Sequence, residues 1–186
     1  MKTLTEYINE SILDVDDLIA NNDKFINDWI RNNCSVISPY TIKNGIVDVN
    51  GGVVVNNNVE SIDIKFGRVK GQFNLSMSPF LTSLEGCPDY VGGDFVCDWN
   101  KRLTSLKGAP KEVGGSFNCD WCRGLTTLEG SPEKVGTNFS CNNCKSLTSL
   151  KGAPKEVGRD FECRGCDQLK NYRHKPKTIK GKFYKD

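Results

Sequence analysis

From residue 81 onward the chain repeats one pattern of hydrophobic and polar positions every 22 residues. The four clearest copies align without a gap and begin at residues 81, 103, 125 and 147: LTSLEGCPDYVGGDFVCDWNKR, LTSLKGAPKEVGGSFNCDWCRG, LTTLEGSPEKVGTNFSCNNCKS and LTSLKGAPKEVGRDFECRGCDQ. The recurring apolar positions of each copy are two leucines, one valine, and the Phe and Cys of a Phe-x-Cys tripeptide. A period of this length is typical of solenoids, whose coils stack on one another and share a core.

The Phe-x-Cys tripeptide alternates apolar and polar positions, as a strand with one buried face does. This places Phe117 and Cys119 in the core and Asn118 outside. Gly114 precedes the strand at a position where we expect a positive φ. Stacking coils about 4.8 Å apart would bury the apolar side that one coil alone leaves exposed. The pattern predicts a β-rich solenoid with one short strand per coil, the strands forming a parallel sheet.

Weaker copies of the same frame extend the repeat region in both directions. One coil before the regular copies, Val53 takes the place of Leu75 and Asn56 takes the place of Ser78. The predicted division of the chain is a helical N-terminal cap or docking segment (1–44), degenerate coils (45–80), regular coils (81–168) and a C-terminal cap coil (169–186), the last three forming one solenoid (45–186).

The N-terminal segment has helical spacing instead. Three helices are predicted from these apolar residues: Leu4, Tyr7, Ile8 and Ile12; Leu18 and Ile19; Phe25, Ile26, Trp29 and Ile30. Asp14 is placed to cap the second of them. Residues 1–33 hold seven acids and three bases, a net charge of −4. We expect these helices to cover the first coil, whose core would otherwise be exposed, and docking to another protein is the alternative.

The repeat unit resembles the leucine-rich repeat. The pattern F-x-C-x-x-[NC]-x-x-L-T-S-L is similar to the leucine-rich-repeat core L-x-L-x-x-[NC]-x-L, and LTSL-x-G-x-P resembles the short repeats of bacterial leucine-rich-repeat effectors. Arrays such as LTSLKGAPKEVGG are also similar to those of hypothetical proteins of large tailed phages. The unit departs from the family in one extra residue before LTSL and in using Phe and Cys where Leu is usual.

This resemblance implies a leucine-rich-repeat-like solenoid that recognises another protein. It also implies a phage-encoded product in a bacterial cytoplasm or in a virion. The segment EYINESILDVDD resembles N-terminal segments of otherwise unrelated large-phage proteins, which implies a docking or packaging tag. No ligase domain follows the repeats within this sequence, so the resemblance implies no enzymatic activity.

The cysteines raise the question of a metal site. Cys119, Cys122, Cys141 and Cys144 give the spacing C-x2-C-x18-C-x2-C, which falls within the window of zinc sites. A zinc site would draw on six cysteines: Cys119, Cys122, Cys141, Cys144, Cys163 and Cys166. Thiol redox chemistry is a third alternative, although no helix pattern follows Cys122 to lower its pKa.

The repeat itself supplies a comparison between coils. The first cysteine column reads Val53, Leu75, Cys97, Cys119, Cys141 and Cys163, and the second reads Asn56, Ser78, Asn100, Cys122, Cys144 and Cys166. The first accepts Val and Leu, which is typical of an apolar core position. The second accepts Asn and Ser, which predicts a polar ladder bonded to turn backbone, with the thiol as a weak substitute. We therefore predict structural ladders and no cofactor.

The outward side of the predicted strands is the candidate binding face. Trp99 and Trp121 are the expected anchors, because tryptophan is enriched at binding hot spots and nothing in the repeat demands it there. Six further residues of this face complete the predicted partner-binding set: Asp98, Asp120, Met77, Asn118, Asn142 and Asn143. The alternative is that each tryptophan folds over the neighbouring turn and only shields the ladder.

Composition narrows the class of protein. The formal net charge is +2 and nine cysteines are present, yet the N-terminus lacks the apolar run of a signal peptide. We therefore expect a cytoplasmic protein with reduced thiols and no membrane partner. His174 is the only histidine, and no group of residues has the pattern of a catalytic site. The sequence predicts a non-enzymatic protein that binds a protein of unknown identity.

Charges are arranged by coil as well. One column reads Asp63, Glu85, Lys107, Glu129, Lys151 and Arg173, so opposite charges meet at most coil junctions. Residues 169–186 hold seven bases and one acid, a net charge of +6. Lysines at this end would protect the last strand from pairing with other chains. Binding of nucleic acid to the basic end is the alternative.

Overall fold

A computed structural model describes residues 4–185, over which the chain forms one helix and sixteen short strands. Helix α1 spans Leu4–Asn33. The strands are β1 (Cys34–Ile37), β2 (Tyr40–Lys43), β3 (Ile46–Val49), β4 (Val53–Val55), β5 (Lys65–Val69), β6 (Phe73–Asn74), β7 (Tyr90–Val91), β8 (Phe95–Val96), β9 (Glu112–Val113), β10 (Phe117–Asn118), β11 (Lys134–Val135), β12 (Phe139–Ser140), β13 (Glu156–Val157), β14 (Phe161–Glu162), β15 (Thr178–Ile179) and β16 (Phe183–Tyr184).

The strands form two sheets, which makes the molecule a β-solenoid as the repeat predicts. The front sheet has the order β1-β4-β6-β8-β10-β12-β14-β16, and the rear sheet has the order β15-β13-β11-β9-β7-β5-β3-β2. From β3 to β16 all pairing is parallel between successive coils, whereas β1 and β2 are antiparallel to their neighbours. The prediction of one strand per coil is therefore wrong, since each coil has two.

The second strand of each coil comes from the Lys-Glu-Val segment, for which we predicted no strand. Glu112 is exposed and Val113 is buried, so this dipeptide also alternates and forms β9. Gly114 makes the corner between the two sheets, but it has no positive φ. Its need for glycine is steric, because a Cβ there would lie 2.4 Å from the carbonyl oxygen of Gly92. The positive φ occurs instead at Gly108, with a value of 89°.

The register confirms the 22-residue period in the regular coils. Phe117 pairs with Phe139 and Phe95, each 22 residues away. The first coil is shorter, because Val53 lies opposite Phe73 and not at the level of Leu75. Two residues are thus missing from the first coil relative to the regular ones, and the predicted placement of Val53 and Asn56 in the cysteine columns is wrong.

The core is a set of ladders that run the length of the solenoid. The rings of Phe95, Phe117, Phe139 and Phe161 stack with centroids 5.1 Å apart and are fully buried. Burial of each such side chain contributes about 1.5–3 kcal/mol, and well-placed aromatic pairs add about 0.5–1.5 kcal/mol. Each coil depends on its neighbours for this burial, so the solenoid is stable only as a stack.

One helix, α1, replaces the three that we predicted. The segment contains no glycine or proline that would interrupt the backbone hydrogen bonds, so α1 runs through Asp14, which caps no helix. Ile26, Trp29 and Ile30 are buried, and the ring of Trp29 lies edge-on to Phe66 at 6.3 Å. The expected helical cap on the solenoid is therefore confirmed for this part of α1.

The helix ends where the chain joins the sheets. The backbone N–H of Asn56 donates to the carbonyl oxygen of Asn33 (2.8 Å), which satisfies a carbonyl that the helix leaves without a partner. Residues 34–43, within the segment expected to be helical, form β1 and β2 instead. Side chains of residues 4–17, including Leu4, Tyr7, Ile8 and Ile12, lie outside the described side chains, and so does the tag-like segment EYINESILDVDD. Across residues 4–185 no helix is both long enough and apolar enough to cross a membrane.

Candidate functional site

The bend that follows a front-sheet strand has a left-handed backbone in five successive coils, after β6, β8, β10, β12 and β14. It is occupied in successive coils by Met77, Trp99, Trp121, Asn143 and Gly165, with φ values of 58°, 61°, 59°, 59° and 67°. Glycine and asparagine tolerate this conformation, whereas a bulky side chain there costs about 1–2 kcal/mol. The backbone of this bend therefore favours Gly or Asn, and the three coils that carry Met or Trp there are destabilised by about that amount.

The two tryptophans form a stack on the outside of the solenoid. Their ring centroids are 4.8 Å apart, their planes differ by 9°, and both side chains are partly exposed. Met77, in the preceding coil, is 58% exposed. Met77, Pro79, Trp99 and Lys101 line a cavity of about 250 Å³. We call Met77, Pro79, Trp99 and Trp121 the tryptophan patch.

Most polar residues of the predicted binding face already have partners within the chain. Asp120 Oδ1 accepts hydrogen bonds from the backbone N–H of Asn142 (2.6 Å) and from the hydroxyl of Ser140 (2.5 Å). Asn142 Oδ1 in turn accepts from the backbone N–H of Arg164 (2.8 Å). Asn118 Oδ1 accepts from the backbone N–H of Asp120 (2.8 Å). Asp120, Asn118 and Asn142 therefore hold adjacent coils and bends together.

Burial affects the carboxyl of Asp120. Desolvation raises its pKa above the ordinary value, while the hydrogen bonds from Ser140 and Asn142 act in the opposite direction.

A second column of side chains that accept backbone N–H groups from the next coil lies at the start of the front-sheet strands. There Asp94 Oδ1 accepts from the backbone N–H of Ser116 (2.7 Å), and Asp160 Oδ1 accepts from the backbone N–H of Lys182 (2.8 Å).

Asp98 differs from the other members of its column. Its Oδ1 atom is buried and has no hydrogen-bond partner within residues 4–185. The donor that corresponds to the one used by Asp120 is the backbone N–H of Asp120 itself, and Asn118 has taken it. Asp98 lines a groove of about 560 Å³ together with Val54, Asn74, Ser76, Met77 and Val96. The groove and the cavity beside Trp99 have Met77 in common.

Both cysteine columns face the core, as predicted. From Leu75 to Cys163 and from Ser78 to Cys166, every member is at most 3% exposed. In the second column, the Asn100 amide Nδ2 donates to the carbonyl oxygen of Leu75 (3.0 Å), and Asn100 Oδ1 accepts from the backbone N–H of Ser78 (2.8 Å).

The thiols of the following coils use the same acceptor position as Asn100. Cys122 Sγ donates to the carbonyl oxygen of Cys97 at 3.2 Å, and Cys144 Sγ donates to that of Cys119 at 3.3 Å. The prediction that a thiol substitutes for asparagine in a polar ladder is therefore confirmed. Within residues 4–185, the structure brings no group of three or more His, Cys, Asp or Glu side chains together as a metal site.

Burial favours the protonated thiol at Cys34, Cys97, Cys119 and Cys122. It raises the pKa of Cys34 to about 11 and raises the pKa values of Cys97 and Cys119 well above the ordinary thiol value. Burial also raises the pKa of Cys122, although a hydrogen bond from the Asn100 backbone N–H opposes it. Each cysteine is a thiol in the structure. Raised pKa values disfavour the thiolate that redox chemistry and metal binding require.

The charge columns form the expected pairs between coils. Lys151 Nζ lies 2.7 Å from Glu129, and Lys155 Nζ lies 2.8 Å from Glu133. These pairs are exposed, so they contribute little to stability and mainly favour the correct register.

At the C-terminal end, basic residues lie over the aromatic rings of the last coil. Lys175 Nζ lies 5.4 Å from the ring centroid of Phe183, and Lys185 Nζ lies 4.8 Å from that of Tyr172. These contacts cover the aromatic rings of the last coil, and binding of nucleic acid to this end stays the alternative prediction.

No protein-family model matches the chain, and comparisons with curated proteins and with solved structures find no match. The candidate function therefore rests on the geometry of the coils. Trp99, Trp121 and Met77 lie on the outside, as predicted, but their left-handed backbone was not predicted. The signal was present in the same column, because Asn143 and Gly165 are residue types that a left-handed backbone favours.

Proposed function

We propose that the protein is a non-enzymatic recognition module that binds a protein partner on the outward face of its front sheet. The observation that carries this proposal is the stack of Trp99 and Trp121 on a left-handed backbone. Strained positions of this kind persist where function needs them, and tryptophan is the residue type most enriched at binding hot spots.

The rest of the face supports this role. Seven coils about 4.8 Å apart give a strip about 29 Å long, comparable to one side of a standard protein interface. The hydrogen bonds of Asp120 and Asn142 hold that strip in one conformation, so little side-chain entropy would be lost on binding. The tryptophan patch supplies the apolar centre, and the polar columns supply its rim.

We extend the proposal to the setting that the resemblance implies. The protein would be a leucine-rich-repeat-like product encoded by a phage, acting in the cytoplasm of a bacterial host. Stacked cysteine columns that remain as buried thiols support a reducing compartment.

A second candidate function is a structural or virion-associated role in which α1 docks to another protein. Leu18, Ile19 and Phe25 are 70%, 56% and 52% exposed, so α1 presents apolar side chains that the solenoid does not cover. In that case the solenoid would be a rigid spacer and the tryptophan stack would only shield the ladder beneath it.

Affinity capture of the full-length protein from lysate of the bacterial host, quantified by mass spectrometry, tests the proposal. The decisive variant is Trp99→Asn with Trp121→Asn, because asparagine occupies the same bend at position 143. We expect this variant to lose the specific partner while its melting temperature changes by only a few degrees. A control with Lys134→Ala on the rear sheet should retain the partner.

The opposite result would favour the second candidate. If the tryptophan variant retains the partner, and a variant with Leu18→Ser and Ile19→Ser loses it, recognition belongs to α1. Loss of both folding and binding in the tryptophan variant would show that the stack shields the ladder.

A further inference from the structure

Asp98 is the carboxylate of the front face that the fold leaves uncompensated. In the same column, Asp120 and Asn142 each accept a backbone N–H from the next coil. Asp98 Oδ1 is buried and has no hydrogen-bond partner, and no cation lies within ion-pair distance of it among the residues that the structure describes. A buried carboxylate oxygen without a partner is costly, and a cation that pairs with the partly exposed Asp98 carboxylate from the groove would offset this cost.

The surroundings of Asp98 define what can reach it. It is the single charged residue among the described residues that line the groove of about 560 Å³. The groove is therefore lined by uncharged polar and apolar side chains and by one carboxylate, and it lies next to the partly exposed Trp99. An arginine side chain suits this combination, because its guanidinium donates two hydrogen bonds to a carboxylate and its plane stacks on aromatic rings.

A second cavity lies directly beside the groove. Met77 belongs to both, and Pro79 and Trp99 complete the apolar part of the smaller one, which has a volume of about 250 Å³. A cavity of this size takes one aliphatic or aromatic side chain.

We infer that the partner presents a basic side chain to Asp98 and a neighbouring apolar side chain to the cavity between Met77 and Trp99. This inference rests on the proposed function, since it specifies the chemistry of what the front face binds. It assigns the recognition carboxylate to Asp98, beside Met77 and Trp99, and leaves Asp120 as a residue that holds the next coil in place. The partner segment is therefore basic and apolar rather than acidic.

Nuclear magnetic resonance titration of the labelled full-length protein with capped dipeptides tests this inference. The probes are Ac-Arg-Leu-NH2 and Ac-Leu-Arg-NH2, compared with Ac-Glu-Leu-NH2 and Ac-Leu-Glu-NH2. We expect saturable shifts of the Trp99 indole N–H with at least one arginine peptide in the millimolar range. Binding of both glutamate peptides should be at least about tenfold weaker, because a charge-assisted hydrogen bond is lost.

Two matched variants separate the carboxylate of the groove from one elsewhere on the surface. Asp98→Asn keeps the volume and removes the charge, and it should weaken arginine-peptide binding about tenfold. Glu112→Gln removes the charge of an exposed carboxylate on the rear sheet and should leave the affinity unchanged. Thermal unfolding of both variants checks that they fold.

The inference is overturned if arginine and glutamate peptides bind equally, if no probe binds, or if Asp98→Asn has no effect. Tighter binding of a glutamate peptide would assign recognition to Lys101 instead. In each of these cases the variant with Trp99→Asn and Trp121→Asn still tests the proposed function. If that variant loses the host partner, the front face is the binding surface. If it retains the partner, the proposed function is wrong.

Discussion

Asn100 is the point at which the second inward column changes from thiols to oxygen- and nitrogen-bearing side chains, and its removal should be severe. The Asn100→Ala variant leaves the backbone N–H of Ser78 and the carbonyl oxygen of Leu75 without partners in a fully buried site. Each unsatisfied group costs about 1–3 kcal/mol, and a small cavity adds to this. We expect Asn100→Ala to lower the free energy of unfolding by about 3–5 kcal/mol.

The chain supplies its own matched control. Cysteine occupies the same position in the next three coils, where Cys122 donates to the carbonyl oxygen of Cys97 and accepts from the backbone N–H of Asn100. Asn100→Cys should reproduce both contacts with Leu75 and Ser78, although weakly, and should cost about 1 kcal/mol. The difference between the two variants, about 2 kcal/mol or more, measures the hydrogen bonds of the ladder.

Urea unfolding of the full-length protein, followed by circular dichroism, is the assay. With an m-value of about 2 kcal/mol/M, the alanine variant should unfold at a midpoint about 2 M lower than the unmodified protein, and the cysteine variant at one about 0.5 M lower. If Asn100→Ala and Asn100→Cys lower the free energy of unfolding equally, a thiol does not substitute for the asparagine amide in this ladder. A loss below about 1 kcal/mol for Asn100→Ala would show that water satisfies the site.

Three further predictions concern the thiols and the buried hydroxyl. Ser78→Ala removes the buried hydroxyl that has no hydrogen bond among the described residues. The free energy of unfolding should therefore stay constant or rise by about 1 kcal/mol in the same urea assay. A decrease of more than about 1 kcal/mol would show that the Ser78 hydroxyl has a hydrogen-bond partner. Because burial raises the pKa of thiols such as Cys97, they stay protonated when folded, whereas unfolded thiols ionise near pH 9. The unfolded state then binds fewer protons, so stability should fall above about pH 9 by about 1.4 kcal/mol per pH unit for each such thiol, and Cys97→Val should reduce the slope of stability against pH. Chelation with EDTA should leave the melting temperature unchanged, whereas one equivalent of zinc by elemental analysis together with unfolding on chelation would replace the ladders with a metal site.

The solenoid was predictable because each coil repeats the same burial pattern. The alternation of apolar and polar positions was enough to predict that Phe117 and Cys119 are buried. The columns of Val, Leu and Cys were enough to predict the register of the regular coils. The second strand of each coil was not predicted, because Glu112 and Val113 are too few residues to show alternation by themselves. Their pairing depends on the strands of adjacent coils.

The candidate site was predictable only in part. The outward position of Trp99 and Trp121 followed from counting along the strand, yet the orphaned oxygen of Asp98 depends on competition for one backbone N–H between Asn118 and Asp98. Asp120 looks equivalent in the sequence but has both partners, because serine at position 140 leaves the N–H of Asn142 available.

The sequence by itself determined the 22-residue stack, the inward cysteine columns and the outward tryptophans, since a periodic burial pattern admits one way to cover its apolar side. Tertiary structure alone decided the two-sheet cross-section, the single helix α1 on the first coil, the shortened register at Val53 and the left-handed backbone at the tryptophans. Those features arise from contacts between coils and from competition among hydrogen-bond donors. Both are set by groups that are about 22 residues apart in the chain and adjacent only after folding.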